Sequence, residues 1–196
     1  MRMNPRNSGV RIIAGTLRGS RLAVADAPGL RPTPDRVRET LFNWLTPVIA
    51  GARCLDLFAG SGALGIEALS RGAARVLFVE RDARLAAALR AALQRLRQPA
   101  GEVVQDDALT FLRGTVQPFD VVFLDPPYAA ALWSEAAQVL APWLAPQARV
   151  YVEWPAAWPP PELPAHWQTL RQARAGQVAY ALHGVPQAPA DALRPR

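Results

Sequence analysis

Two hydrophobic periods alternate along this chain. Dense apolar runs at 53–58, 76–80, 102–106, 120–125 and 148–154 read as strands, because a strand covered on both faces shows an almost continuous apolar run. Segments near 62–71, 82–97, 107–113 and 131–144 lie between them and read as helices. Strand and helix in strict alternation predict an α/β chain, with crossover units on a parallel sheet and helices on both faces. The last third departs from this pattern. Pro155, Pro159, Pro160, Pro161 and Pro164 fall between Trp154 and Trp167 and forbid a regular helix, so that crossover is expected to be extended loop. Beyond it, 167–173 and 177–183 flank Ala175-Gly176 and predict a hairpin. A parallel sheet closing in a hairpin contains one antiparallel strand.

At the amino-terminal side, Val10-Arg11-Ile12-Ile13-Ala14 and Arg21-Leu22-Ala23-Val24 predict two short strands joined through Gly15 and Gly19. Arg31-Pro32-Thr33-Pro34-Asp35 is a rigid turn, and Val37, Leu41, Trp44 and Leu45 recur at helical spacing. An amphipathic helix capped by Thr33 or Asp35 is expected there. The organisation read from this pattern is a hairpin extension over 1–30, a main domain over 31–184, and a disordered tail over 185–196, where three prolines occur.

Composition narrows the classes. The 196 residues are 51% hydrophobic, enough for a core. No apolar run approaches the roughly 18–20 residues of a membrane span, and the polar start lacks the apolar core of a secretory signal. Cys54 is the one cysteine, so neither a disulfide frame nor a cysteine-rich metal site can form. His166 and His183 have no ligand cluster around them, and no metal is expected. The expected location is the cytoplasm. Every basic residue is an arginine, and the net charge of +6 is localised. Residues 1–53 hold nine arginines against Asp26, Asp35 and Glu39, whereas 54–196 balance to zero. Arginine pairs with phosphate bidentately and stacks on bases, so a basic segment on a neutral domain suggests a nucleic-acid surface. The plain alternative is an ordinary surface on which arginine stands in for lysine.

Leu55-Asp56-Leu57-Phe58-Ala59-Gly60-Ser61-Gly62-Ala63-Leu64-Gly65 puts glycines where a strand hands over to a helix. Missing side chains there let a ligand approach the backbone and the unpaired N–H groups of the helix start. Gly60, Gly62 and Gly65 also satisfy the dinucleotide fingerprint, with Glu80 about 20 residues on, so a nicotinamide oxidoreductase is a rival reading. Asp56 disfavours it: placed before the glycines, it would repel a pyrophosphate but suit the cationic aminoacyl end of S-adenosylmethionine. Glu80 is expected to accept from the ribose hydroxyls, with Arg81 against the adenine and Asp107-Ala108 at the adenine amino group. Each acid taken singly is as readily a helix cap. Their shared place at the carboxyl ends of consecutive strands favours a ligand.

Asp125-Pro126-Pro127-Tyr128 follows the most apolar strand, Val121-Val122-Phe123-Leu124. An exocyclic amino nitrogen on a base is a poor nucleophile, because its lone pair is delocalised into the ring. Acceptors that bind its two hydrogens leave the lone pair facing an electrophile. Asp125 can supply one acceptor and the Pro126 carbonyl another, while the stiff turn keeps them in place. Tyr128 offers a ring on which an extruded base can stack. A proline turn after a buried strand is the bland reading, and the glycine loop two strands earlier weakens it.

These residues resemble the RsmD family, bacterial enzymes that methylate N2 of a guanine in 16S ribosomal RNA. The likeness runs from about 10 to 183. It covers Arg11-Ile12-Ile13-Ala14-Gly15, Arg18-Gly19, Leu30-Arg31-Pro32-Thr33, and Asp35-Arg36-Val37-Arg38-Glu39-Thr40-Leu41-Phe42-Asn43-Trp44-Leu45. It continues through the glycine loop with Glu67-Ala68-Leu69-Ser70-Arg71-Gly72-Ala73, the Asp125 motif and Ala175-Gly176-Gln177-Val178. The resemblance implies a Rossmann-like class I methyltransferase, with a seven-stranded, mostly parallel sheet holding one antiparallel strand, plus the hairpin. It implies S-adenosylmethionine as cofactor, with Thr33 and Arg36 closing over its methionine end and Asp56, Phe58, Gly60, Ser61, Gly62, Glu80, Arg81, Asp107 and Ala108 around the rest. Asp125, Pro126, Pro127 and Tyr128 would be catalytic; Arg11, Arg18, Arg21 and Arg38 would contact RNA. The implied partner is 16S rRNA within the small subunit or its assembly intermediate, met by a monomer. The alternatives are methylation of adenine N6 or cytosine N4 in DNA, the oxidoreductase, and an idle ribosome-assembly factor.

Overall fold

The computed structural model describes residues 9–23 and 33–186. Arg31 and Pro32 of the expected turn, Val24, and most of the expected tail lie outside them. Two short strands, β1 (Gly9–Arg11) and β2 (Arg21–Ala23), pair antiparallel. The chain then runs through α1 (Asp35–Ile49), β3 (Arg53–Asp56), α2 (Ala63–Ser70), β4 (Arg75–Val79), α3 (Ala83–Arg95) and β5 (Gly101–Val104). It continues with α4 (Ala108–Phe111), β6 (Phe119–Leu124), α5 (Trp133–Val139), β7 (Leu144–Pro155), β8 (Gln168–Ala175) and β9 (Val178–Gly184).

The main sheet has seven strands in the order β5-β4-β3-β6-β7-β9-β8. The strands β3 to β7 pair parallel, and β9 alone runs against its neighbours β7 and β8. The order reverses direction at β3 and β6, where the connections leave toward opposite edges. At such a switch point the carboxyl ends of the strands open a crevice for ligands. Asp56 ends β3 and Asp125 follows β6, so both motifs found in the sequence border that crevice.

Strand alternation sorts the core into two layers. Cys54, Val76, Phe78, Val121, Phe123 and Tyr151 face α1 and α2 in one cluster. Leu55, Leu77, Val79, Val122, Leu124 and Val152 face α4 and α5 in the other. Both faces are covered, which is why the runs read as uniformly apolar. Gly65 permits the close approach of α2 to the sheet: a Cβ there would lie 2.1 Å from the Phe78 ring.

Three expectations change. Neither Thr33 nor Asp35 caps α1, which starts after Pro34 with no side-chain cap; the Thr33 hydroxyl is turned to Asp125, and Asp35 lies inside the first turn, paired with Arg38. Residues 12–14 leave the first strand early: Ile12 N–H still reaches across the hairpin to the Ser20 carbonyl at 2.9 Å, but Ile13 and Ala14 donate to the Glu67 carboxylate of α2. Val185, assigned to the tail, is buried and donates its N–H to the Ala148 carbonyl at 3.0 Å.

Candidate active site

Four buried or half-buried acids converge on the crevice. Asp56 is 3% exposed, and its Oδ2 accepts the Gly65 N–H at 3.0 Å. Burial pushes its carboxyl up to about 7, the Gly65 N–H opposes that, and the charge of Glu80 adds to it. Glu80, just beyond β4, accepts from Gly60 N–H and Asp82 N–H, each at 2.8 Å. Glu80 therefore ties the glycine loop to the end of the neighbouring strand. Gly60 and Gly62 take φ values of 52° and 74°, a left-handed path natural to glycine. A Cβ on Gly62 would also strike the Leu89 side chain at 2.4 Å.

The corner itself is Asp125, half-buried, with Pro126 buried and Tyr128 half-buried. The Thr33 hydroxyl donates to Asp125 Oδ2 at 3.5 Å, so the segment before α1 is joined to the end of β6. Beside Asp125 stands a residue that the sequence reading missed, Glu153 of β7, which is 3% exposed. Its Oε1 accepts from Tyr128 Oη at 3.2 Å and its Oε2 from Tyr151 Oη at 2.7 Å. Its backbone carbonyl accepts Trp133 Nε1 at 2.6 Å. An acid inside the apolar run Val150-Tyr151-Val152-Glu153-Trp154 was the available signal, since a lone carboxylate in a buried strand needs a reason. Trp158 was missed as well. It is 47% exposed in the proline-rich crossover, with its ring centroid 6.5 Å from that of Tyr128 and 6.1 Å from that of Trp133.

Asp107 caps α4, accepting from Leu109 and Thr110 N–H at 3.0 and 3.2 Å, the ordinary reading of such an acid. Ala108 is buried beneath it. Arg81 and Arg36 are exposed, Ser61 is half-buried, and Phe58 packs against the second core layer.

Of the expected RNA contacts, Arg11 and Arg18 line a cavity of about 400 Å³ between the hairpin and α1, with Asn43, Glu39 and Arg71. Arg21 is exposed beside α3, where its carbonyl accepts Arg95 Nη2 at 2.8 Å. Arg38 is a correction. It is fully buried, its Nη2 donates to Asp35 at 2.6 Å and to the Arg11 carbonyl at 2.8 Å, and its Nη1 lies 3.6 Å from Glu67. A guanidinium closed off in this way holds the hairpin to the domain and presents nothing to RNA. Among the described residues no group of His, Cys, Asp and Glu could hold a metal, and no helix is long and apolar enough to cross a membrane.

The sheet order, the glycine loop after its central strand and the acidic corner after the next define a class I methyltransferase. Comparison with known proteins agrees. The family described as "Conserved hypothetical protein 95" matches residues 10–184. Ribosomal RNA small subunit methyltransferase D of Escherichia coli K12 is 48% identical over 184 residues, covering 91% of this chain and 93% of its own. The protein of that name from Haemophilus influenzae is 48% identical over 180 residues, covering 89% and 93%. The chain belongs to this family, that of the RsmD methyltransferases. The solved structure of yhhF from Escherichia coli superposes with a TM-score of 0.85 at 45% identity, covering 91% of this chain and 99% of the other. An RNA methyltransferase of Salinibacter ruber, solved with S-adenosyl-L-homocysteine, shares the fold at a TM-score of 0.63 and 20% identity, covering 82% and 98%.

Proposed function

We propose that this protein transfers a methyl group from S-adenosylmethionine to the exocyclic N2 of a guanine in 16S ribosomal RNA, acting on the small subunit or its assembly intermediate. The observation that carries the reading is the corner itself: Asp125 and Pro126 follow β6 at the switch point, at the edge of the acid-lined crevice, and lead into Tyr128, whose ring is neighboured by Trp158. Asp56, Glu80, Asp125 and Glu153 converge on the crevice, and among the described residues none of them forms an ion pair with an arginine. That donor set fits a ligand carrying an ammonium and a sulfonium.

S-adenosylmethionine, when bound, supplies a methyl group on positively charged sulfur, an electrophile that needs no metal. Asp56 would hold its ammonium end, Glu80 its ribose hydroxyls, and Asp107 its adenine amino group, while Thr33 and Arg36 cover the methionine end. Asp125 and the Pro126 carbonyl accept the two amino hydrogens of the target base and leave its lone pair facing the methyl. Asp125 could also take the proton that the methylated nitrogen must lose. Tyr128 and Trp158 supply aromatic faces for an extruded base, each worth about 1–3 kcal/mol by analogy with single-strand binders. The cavity bearing Arg11, Arg18 and Arg71 would receive phosphates of the surrounding strand. The dinucleotide reading loses its ground, because the relatives that share the whole chain are methyltransferases.

The test is to incubate the protein and labelled donor with unmodified small subunits, free ribosomal RNA and DNA in parallel, then digest and identify the modified nucleoside. N2-methylguanosine in the small-subunit arm supports the reading. A labelled adenine or cytosine in DNA overturns it.

A further inference from the structure

The corner places two carboxyls side by side. Leu124 of β6 pairs with Val152 of β7, so Asp125 and Glu153, each one residue further on, occupy neighbouring positions at the same end of the sheet. Their surroundings differ. Glu153 accepts two phenolic hydrogens, from Tyr128 at 3.2 Å and from Tyr151 at 2.7 Å. Among the described residues Asp125 receives the Thr33 hydroxyl at 3.5 Å, the weak limit of a hydrogen bond.

Other groups face the pair from each packed element: Asp56 from β3, Tyr151 from β7, and Tyr180 of β9 behind Tyr151. All are acids or phenols. Adjacent carboxyls, one buried and one half-buried, resist ionising together and hold a proton between them. Asp125 is the more exposed of the two, but the anion that receives more hydrogen-bond donors keeps the charge, and its two phenol donors make that anion Glu153. The titration directions agree. Burial raises both groups; for Glu153 the hydroxyls of Tyr151, Tyr128 and Thr33 oppose it, whereas the charges of Glu153 and Asp56 push Asp125 further up, against Thr33 alone.

We propose that Glu153 sets the proton of the catalytic corner: without ligand Asp125 is a neutral acid beside an anionic Glu153, and it releases its proton to solvent when a cationic methyl donor enters. The proposal rests on the methyl-donor reading of this site and deepens it. Its consequence is ordered assembly. Asp125 becomes a full carboxylate, the stronger acceptor for amino hydrogens, when a positive sulfur is present to offset the charge. Glu153 touches no reacting atom and is a positioning residue, acting through Asp125 and through Tyr128.

Calorimetry reads this directly. S-adenosylmethionine is titrated into the full-length protein at pH 7 in two buffers of different protonation enthalpy, with S-adenosylhomocysteine, which lacks the sulfonium charge, as comparison. Asp56 also titrates near neutrality, but both ligands carry the same aminoacyl end, so its contribution cancels in the comparison. The expected result is a release approaching about one proton with S-adenosylmethionine, and less than about half of that with the homocysteine. Glu153→Gln keeps an acceptor for the tyrosines and removes the charge; it should cut the release about twofold or more while binding persists. Should Glu153→Gln not fold, the wild type still decides: its preference for S-adenosylmethionine over the homocysteine must rise with pH through the titration of Asp125. Equal heats in both buffers, an unchanged release in Glu153→Gln, or a pH-independent preference would each overturn the proposal while leaving donor binding intact. Absence of any donor binding would overturn the methyltransferase reading along with it.

Discussion

Glu67 Oε2 accepts the backbone N–H of Ile13 at 2.8 Å, fastening the amino-terminal hairpin to α2 across 54 positions of sequence. The second oxygen takes Ala14 N–H at 3.0 Å and Arg71 Nε at 2.8 Å, and Arg38 lies alongside. Gly15 completes the joint: its φ is +80°, and a Cβ there would fall 1.8 Å from the Ser70 carbonyl. The hairpin is thus a docked wall rather than a free arm, and a fixed wall lets Arg11 and Arg18 keep their places around the cavity.

Removing Glu67 leaves Arg38 buried beside one remaining carboxylate and orphans two N–H groups. Glu67→Ala should lose about 3–5 kcal/mol of stability, the range for breaking a buried pair from one side. Denaturant unfolding gives the number, and hydrogen exchange shows its place. Faster exchange confined to 9–23 at modest denaturant is expected; a uniform change across the sheet would disprove the local role.

Arg11 and Arg18 have no acidic side-chain partner among the described residues and share a cavity with Arg71. If that cavity takes phosphates, the double replacement Arg11→Ala, Arg18→Ala should weaken RNA binding and flatten its salt dependence. The slope of log affinity against log salt should fall by about 0.7–0.9 per lost contact. Donor affinity should not move, since the cavity is separate from the acid-lined crevice. An unchanged slope would show that RNA passes elsewhere.

Most of this fold was legible because its strands are buried on both faces, and a continuous apolar run survives any detail of register. The glycine loop and the Asp125 corner were legible because local backbone geometry demanded glycine and proline there. Glu153 was not, since its role depends on β6 and β7 lying side by side, a contact that no local pattern encodes. Arg38 misled for the same reason. In sequence it belongs to the arginine-rich amino-terminal quarter of the chain, and only the packing of hairpin, α1 and α2 turns it inward against Glu67. Thr33 is the mirror case: a good capping residue by type, drawn instead to the Asp125 carboxylate by tertiary structure.

Asp56 couples stability to pH. Its folded carboxyl is raised to about 7, against about 3.9 in an unfolded chain. The folded state therefore keeps a proton that the unfolded state gives up. Below pH 4 both states are protonated and Asp56 is neutral to stability; as pH rises from 4 to 7 stability falls, and above 7 the penalty levels off. Asp56→Asn should remove that slope and leave the protein about 2–4 kcal/mol more stable at pH 8, with little change at pH 4. Urea unfolding across this range measures it. The same substitution should weaken S-adenosylmethionine binding, so a variant both more stable and poorer in donor affinity is the expected signature.

Asp125→Ala separates binding from chemistry. The side chain meets Thr33 and neighbours Glu153, while the glycine loop is held independently by Glu80, whose other oxygen accepts the Asp82 N–H. Losing it should leave donor affinity within a few fold but remove an acceptor needed in the transition state. Single-turnover methyl transfer should fall by about 10²–10³-fold, the usual cost of losing one preorganised polar group. Glu80→Ala should behave oppositely, because it frees Gly60 N–H and loosens the loop that receives the donor. There the donor KM rises while the rate at saturation changes less. Normal turnover in Asp125→Ala would place the chemistry outside this corner.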